Sequence, residues 1–161
     1  MGAGLTVRVA AQRDADAAVD VIRASITELC TADHQGDAAT LEQWLANKTA
    51  ARFQAWIARP GQYTVVVERD GILCGVGMLG GEGVIHLCYV HPDHTRHGVG
   101  RALVEAMETE ARARGLVRLR LDATDTAMRF YEAMGFRRCG PSRAGFGVTR
   151  ANPCEKWLAR E

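Results

Sequence analysis

The sequence predicts a single mixed α/β domain in which helices pack on a twisted, partly antiparallel sheet. Three observations support this fold class. The chain has 161 residues, enough for one hydrophobic core but hardly for two. Stretches that alternate apolar and polar residues are interspersed with stretches of helical period. Two β-rich runs within residues 63–79 meet at Asp70-Gly71, a pair that supplies the positive φ angles of a tight hairpin.

The chain begins with one predicted strand and one predicted helix. Residues 5–10, "LTVRVA", predict the strand. Asp14 or Asp16 can then cap a helix, because a short acceptor side chain satisfies free N–H groups at a helix start. Apolar residues follow at helical spacing, namely Val19, Ile22, Ile26 and Leu29.

Two further helices are predicted before residue 60, separated from the first by a polar loop over residues 31–39. Thr40 and Gln43 fit a capping box at the start of one helix. Thr49 precedes the other, which Pro60 helps to end.

The second half of the chain predicts alternating strands and helices. They are a strand at 84–90, a helix at 100–115, a strand at 116–123, a helix at 125–136 and a last strand at 154–159. The helices carry apolar stripes formed by Leu103, Met107 and Ala111 in the first and by Ala127, Phe130, Tyr131 and Met134 in the second.

Composition excludes several classes of protein. Twenty basic and nineteen acidic residues leave a net charge of +1, which argues against a nucleic-acid or anionic-membrane partner. We expect no signal peptide and no membrane span. The five cysteines are odd in number and scattered, a pattern typical of reduced thiols in a cytoplasmic protein rather than of a disulfide framework.

Residues 86–103, "HLCYVHPDHTRHGVGRAL", allow two interpretations. A metal site would use His86, Cys88, His91, His94 and His97, which are residue types that bind zinc or copper. The spacing disfavours this, because His91, His94 and His97 lie on both sides of a turn at Pro92 and no second ligand pair lies elsewhere in the sequence. Polar loop residues around a turn are the simpler interpretation, and we expect no metal.

The alternative is an anion-binding loop. Gly98-Val99-Gly100 follows a strand and opens a helix, where free N–H groups and the positive end of the helix dipole attract phosphate. Arg96, His97 and Arg101 would flank the anion. A dinucleotide fold is disfavoured because Leu103 replaces the third glycine of the dinucleotide motif, and no nucleotide-hydrolysing loop motif occurs.

Two segments together resemble a known family. The stretches "YVHPDHTRHGVGRALVEAMETEARARG" and "LRLDATDTAMRFYEAMGF" are similar to the acetyl-CoA-binding half of the GNAT superfamily of N-acetyltransferases. The resemblance is strong over residues 63–139 and is limited to a β-α-α pattern before residue 60. The family's loop motif falls on residues 95–100, where Thr95 replaces the usual Gln or Arg. The resemblance implies a central mixed, mainly antiparallel, twisted sheet of about six or seven strands flanked by helices.

The resemblance also implies how acetyl-CoA is bound. The strand that ends at Val90 should part from its parallel neighbour, so that its backbone bonds the pantetheine arm and the N–H of Cys88 polarises the thioester carbonyl. Residues 96–101 should hold the pyrophosphate, and Tyr131 should protonate the leaving thiolate. Thr124 replaces an asparagine common in the family. The expected cofactor-binding residues are Cys88, Tyr89, Val90, Arg96, His97, Gly98, Val99, Gly100, Arg101, Thr124 and Tyr131.

The general base is left open between two residues. Family members often carry a glutamate at the position of Val84, and Glu82 and His86 lie two residues to either side, with matching strand parity. The intrinsic pKa of histidine suits a base at neutral pH. Asp33 and His34 are further candidates for contacting the amine. Acylation of Cys88 is disfavoured, because no Cys-His-carboxylate set is visible.

We therefore expect an acyl-CoA-dependent N-acyltransferase that transfers acetyl to a small-molecule or peptide amine by direct attack. The single domain would comprise an acceptor-side region over 1–60, a cofactor-binding core over 63–139 and C-terminal strands over 140–161. Nucleic acid, membrane and metal are not expected, and a homodimer is left open. The alternatives are a non-catalytic acyl-CoA sensor of the same fold and a metal-binding protein.

Overall fold

The computed structural model describes residues 4–159 and contains eight strands and six α-helices over that range, with two short 3-10 helices at Gln12–Asp14 and Pro92–His94. The strands are β1 (Leu5–Val9), β2 (Tyr63–Arg69), β3 (Ile72–Leu79), β4 (Ile85–Val90), β5 (Arg118–Ala123), β6 (Arg137–Arg138), β7 (Arg143–Ala144) and β8 (Arg150–Trp157). The helices are α1 (Ala15–Leu29), α2 (Thr31–His34), α3 (Ala38–Leu45), α4 (Ala50–Ile57), α5 (Val99–Ala113) and α6 (Met128–Ala133).

The strands form two antiparallel arrays that meet at one point. The first has the order β1-β2-β3-β4 and the second the order β5-β8-β6, with β7 also paired to β8. A parallel bridge between Val84 and Arg120 joins the arrays, and the N–H of Arg120 donates to the carbonyl of Gly83 at 2.9 Å. The predicted mixed, mainly antiparallel α/β architecture is confirmed.

Helices cover both faces of the sheet, and each face has its own core. α5 and α6 pack on one face around fully buried residues such as Leu103 and Met107. α1, α3 and α4 pack on the other face, around Ile22 and Phe53. The helical stripes predicted from sequence supply these cores, as hydrophobic burial requires. Within residues 4–159, no helix is long and apolar enough to cross a membrane.

The turn and cap predictions were confirmed where the signal was local. Asp70 and Gly71 adopt φ angles of 54° and 77° at the hairpin. The side chain of Thr49 accepts from the N–H of Arg52 and caps α4. Phe136 folds back at the end of α6, where its N–H donates to the carbonyl of Tyr131 at 2.9 Å.

Three local predictions in the first 40 residues were wrong. The cap of α3 is Asp37, which accepts from both the N–H and the hydroxyl of Thr40. The predicted polar loop contains the short helix α2. Asp14 does not cap α1 with its side chain, because its two oxygens accept from Arg8 of β1 at 2.8 Å each. The helix caps were mispredicted because the actual hydrogen bonds involve either a residue one turn earlier, as for Asp37, or a residue brought close by the tertiary structure, as for Arg8.

The last strand begins four residues earlier than predicted. β8 starts at Arg150 and includes Asn152 and Pro153, two residue types that are depleted in strands. Asn152 is fully buried, and its side-chain amide donates to the carbonyl of Ala123 at 2.9 Å. Tertiary hydrogen bonding thus overrides the low strand propensity of this segment.

Candidate active site

A cavity of about 450 Å³ occupies the gap between β4 and β5. It is lined by the C-terminal end of α1, by β4, by the loop into α5, by the end of β5 and by the start of α6. Because α1 lies on one face of the sheet and α5 on the other, the cavity passes through the sheet where the two strands part. The strand that ends at Val90 thus parts from its parallel neighbour β5, as the family resemblance implied.

The gap leaves two amide groups of β4 facing the cavity. The N–H of His91 donates to Cys74 of β3 at 2.8 Å, and Tyr89 lies opposite Val76 in the same register. Backbone groups alternate sides in an antiparallel pair, so the N–H groups of Cys88 and Val90 point away from β3. On that side the structure pairs β4 with no strand among the described residues. The pantetheine-binding role expected of this strand end therefore has donors available.

A bulge in β4 re-aims His86. Leu79 pairs with Ile85, whereas Met78 pairs with Leu87, so His86 is an extra residue without a partner in β3. Ile85 accordingly packs in the same core as Cys88, although three positions separate them. His86 lines the cavity. Glu82 does not line it, because it lies in the exposed turn before β4, where the strand parity expected for it does not apply.

The N-terminus of α5 opens into the cavity without a side-chain cap. The first intrahelical bond runs from Ala102 to Gly98, so the N–H groups of Val99, Gly100 and Arg101 have no partner within the helix. By contrast, α3 and α4 are both capped by side chains. Gly98 adopts a φ of 81°, a conformation that side chains disfavour. The free amides and the helix dipole together place about half a positive charge at this helix start, which favours an anion there.

The basic residues around this helix start differ in position. Arg96 and Arg101 line the cavity, whereas His97 is exposed and lies outside its lining. Arg101 also lies 3.8 Å from Glu105 on the exposed face of α5. Arg96 adopts a φ of 64°, which is strained for a residue with a side chain. The loop into α5 therefore contains two residues with positive φ, Arg96 and Gly98.

Tyr131 lines the cavity together with its neighbour Cys88. Tyr131 is buried, and its ring packs edge-on against Phe130 and Phe136 at 5.1 and 5.6 Å. Burial, with the neighbouring Cys88, raises the pKa of Tyr131 well above its ordinary value. Burial likewise raises the pKa of the Cys88 thiol to about 11. Both groups are therefore protonated at neutral pH.

The remaining predicted residues fall into two groups. Thr124 lines the cavity, and its hydroxyl accepts from the N–H of Ala127 at 3.3 Å. His34 is buried with both ring nitrogens engaged, by the carbonyl of Thr27 and the N–H of Gly36. Asp33 accepts from the N–H of Thr126 at 3.1 Å, which ties α2 to the segment before α6. Neither Asp33 nor His34 lines the cavity.

Sequence reasoning missed the wall contributed by α1. Ser25 and Leu29 of α1 and Cys30, which directly follows it, line the cavity, although only the helical spacing of this segment was visible in the sequence. Within residues 4–159, no group of three or more His, Cys, Asp or Glu side chains could hold a metal ion.

Comparisons with known proteins agree with this geometry. Residues 30–152 match the model of the acetyltransferase (GNAT) domain. An IAA acetyltransferase from Azospirillum brasilense is 33% identical over 112 residues, which cover 65% of this chain and 71% of that protein.

Solved structures with the same fold include acetyltransferases. A GCN5-related N-acetyltransferase from Rhodopseudomonas palustris has a TM-score of 0.86 and 28% identity, over 98% of both chains. The PaiA N-acetyltransferase from Thermoplasma acidophilum, in complex with coenzyme A, has a TM-score of 0.80 and 18% identity, over 96% of this chain and 99% of that one. The chain therefore belongs to the GNAT family of acetyltransferases and is an acyl-CoA-dependent N-acetyltransferase.

Proposed function

We propose that the cavity binds acetyl-CoA across the sheet and that an amine bound beside His86 attacks the thioester directly. The proposal depends mainly on one observation: the same cavity runs from the free amides of Cys88 and Val90 to the uncapped N-terminus of α5. Acetyl-CoA supplies an acetyl group on a good leaving sulfur. The residues of this chain bind it, orient it and move the protons.

The pyrophosphate is assigned to the start of α5. The amides of Val99, Gly100 and Arg101 would donate to it, and the guanidinium groups of Arg96 and Arg101 would add charge. Gly100 also admits the approach of α6, because a Cβ there would lie 3.0 Å from the ring of Phe130. His97, which lies outside the cavity lining, is left out of this assignment.

The thioester carbonyl is assigned to the N–H of Cys88. Negative charge develops on that oxygen as the amine nitrogen bonds to the carbonyl carbon and the C–S bond breaks. A preorganised donor at such an oxygen is worth roughly 3 kcal/mol in enzymes where it can be removed. Pairing with β3 holds this part of β4 in place, so the donor needs no rearrangement during the reaction.

Tyr131 is assigned to the leaving sulfur. A phenol with an ordinary pKa of about 10 is a weaker acid than a thiol of about 8.5, so proton transfer to an exposed thiolate would be uphill. Here the same buried surroundings raise the pKa of the Cys88 thiol to about 11. A coenzyme A sulfur in those surroundings becomes a stronger base in the same way. Burial raises the pKa of Tyr131 as well, so the assignment rests on the position of its hydroxyl beside Cys88, from which it would donate to the sulfur as negative charge develops there.

His86 is assigned as the base for the amine. An alkylammonium of pKa near 10.4 is deprotonated at pH 7 at a cost of roughly 4.6 kcal/mol, which a base must offset. Burial and the charge of Arg59 lower the pKa of His86, so its imidazole is neutral and able to accept a proton at pH 7. Glu82 lies outside the cavity and has no geometric support for this role.

Direct transfer is favoured over acylation of Cys88. A thiol with a pKa of about 11 is almost wholly protonated at pH 7, and the thiolate is the nucleophilic form. We also propose a cytoplasmic location, which the five free cysteines support.

An amine-panel screen tests the proposal. Purified protein is given acetyl-CoA and single amines, and loss of the thioester is followed by its absorbance. Amine-dependent loss of thioester with formation of the N-acetylated amine is expected. Tight binding of acetyl-CoA without turnover of any amine would contradict the proposal and indicate a sensor.

A further inference from the structure

A second cavity, of about 240 Å³, adjoins the first. The two share His86 and Leu87 in their walls, so they meet at the bulge of β4. Met78 and Leu87 form an apolar part of the second cavity and belong to the core on the α1 side of the sheet. The proposed base therefore stands between the thioester and a separate chamber.

Lys48 lines this chamber and is nine-tenths buried, with 6% of its surface exposed. Its ammonium donates to the side-chain oxygen of Asn47 at 2.6 Å and, more weakly, to the carbonyl of Trp44 at 3.4 Å. The ammonium has three donors, so one has no protein partner among the described residues. No described carboxylate lies within ion-pairing distance of it. Burial lowers the pKa of Lys48 to about 8, which leaves it mainly charged at pH 7.

The other lysine of this chain, Lys156, is a partly buried ammonium whose charge is compensated. The ammonium of Lys156 lies 2.6 Å from a carboxylate oxygen of Glu108 and 2.7 Å from the carbonyl of Met134. A buried charge is costly unless an opposite charge or a full set of hydrogen bonds compensates it. Lys48 has only two neutral oxygens and the ring of Phe146 at 5.7 Å. A place for an anion therefore exists beside Lys48.

Two more groups of the same chamber lack partners. Arg59 lines it and forms no ion pair with any described carboxylate, while its charge reaches His86. The side-chain oxygen of Gln62 is buried without a hydrogen-bond donor within residues 4–159. A ligand that fills the chamber would thus bring anionic oxygens toward Lys48 and Arg59 and an N–H or O–H toward Gln62.

We infer that the acceptor is a small amine that carries an acidic oxygen group, a carboxylate or a phosphate, which the chamber of Lys48, Arg59 and Gln62 binds while the amine faces His86. The inference rests on the proposed function of the first cavity. His86 lines both cavities, so an acid group in the chamber and an amine beside His86 belong to one compact molecule. Polyamines are disfavoured, because unpaired cations line the chamber.

Matched pairs of acceptors test the charge requirement. β-Alanine is compared with β-alaninamide, and phosphoethanolamine with ethanolamine, each at equal concentration of the neutral amine. We expect kcat/KM for the anionic member to be at least tenfold higher in one pair, and the pair in which this occurs identifies carboxylate or phosphate. Equal values within both pairs, or highest activity with putrescine, would overturn the inference.

Variants locate the preference. Lys48→Met should raise KM for the anionic acceptor at least tenfold while leaving the neutral amine and acetyl-CoA unaffected, and Lys48→Arg should retain the preference. Arg59→Gln should weaken it, whereas Arg52→Gln, an exposed cation of α4 outside both cavities, should not. An equal loss for all acceptors in Lys48→Met would indicate a structural role for Lys48 and contradict its assignment.

A binding measurement separates this inference from the proposed function. The protein has two lysines, so ¹⁵N-lysine labelling gives two side-chain ammonium signals, with Lys156 as internal reference. Adding β-alanine or phosphoethanolamine to the acetyl-CoA-free protein should shift the Lys48 signal and raise its pKa. A shift without turnover would refute the transferase mechanism but support the chamber. Turnover of amines without any shift of Lys48 would overturn the inference alone.

Discussion

Replacement of Tyr131 by phenylalanine removes only the hydroxyl assigned to the leaving sulfur. The ring stays packed between Phe130 and Phe136, so the folded structure should persist. A hydrogen bond to a charged group is worth about 1.5–3 kcal/mol, which corresponds to a loss of about 10- to 100-fold in the chemical step. The affinity for acetyl-CoA should change less than about twofold, because the ground-state thioester sulfur carries no charge.

Single-turnover measurements are the suitable assay, because slow product release would hide a change in chemistry. Thioester absorbance is preferable to a thiol reagent, since Cys139 is exposed and would react. Tyr63→Phe is the matched control, because that phenol packs against the same core but lies outside the cavity. An unchanged single-turnover rate in Tyr131→Phe, with Tyr63→Phe equally unchanged, would refute the assignment of Tyr131 to the sulfur.

Three further predictions address other parts of the molecule. Gly98→Val should weaken acetyl-CoA binding at least tenfold by calorimetry, because a branched side chain is strained at a φ of 81°; Gly115→Ala, at a φ of 76° beyond the far end of α5, should bind normally. In the pH profile of kcat/KM, protonation of His86 should reduce activity below pH 6.5, since the pKa of His86 is lowered. This acid limb should vanish in His86→Asn. In Arg59→Gln its apparent pKa should rise, because a repelling positive charge is lost. The ion pair with Arg8 lowers the pKa of Asp14 from 3.8 to about 2, so it stabilises the folded state above pH 4 by on the order of 2 kcal/mol. Denaturant titrations should show the free energy of unfolding decreasing by this amount as the pH falls toward 2. Asp14→Asn should not show this decrease.

The sequence predicted the elements whose determinants are local. Asp70-Gly71 specifies a tight turn by its tolerance of positive φ, and Thr49 caps the helix that directly follows it. The glycines at 98 and 100 indicated an anion site because the free amides lie within the same few residues. The start of β8 could not be predicted this way, since Asn152 is held in the strand by a carbonyl 29 positions away.

The sequence by itself determined the order of the longer strands and helices, the faces that become buried and a helix start suited to an anion, because each depends on periodicity or on neighbouring residues. The short elements α2 and β6 were not predicted. Only the tertiary structure decided the rest of the site. The bulge in β4 leaves His86 without a partner in β3 and on the wall of the cavity, whereas Glu82 lies in the turn before the strand and outside the cavity lining. The chamber of Lys48, Arg59 and Gln62 depends on segments separated in the chain and on the absence of a described counter-ion, neither of which a linear pattern records.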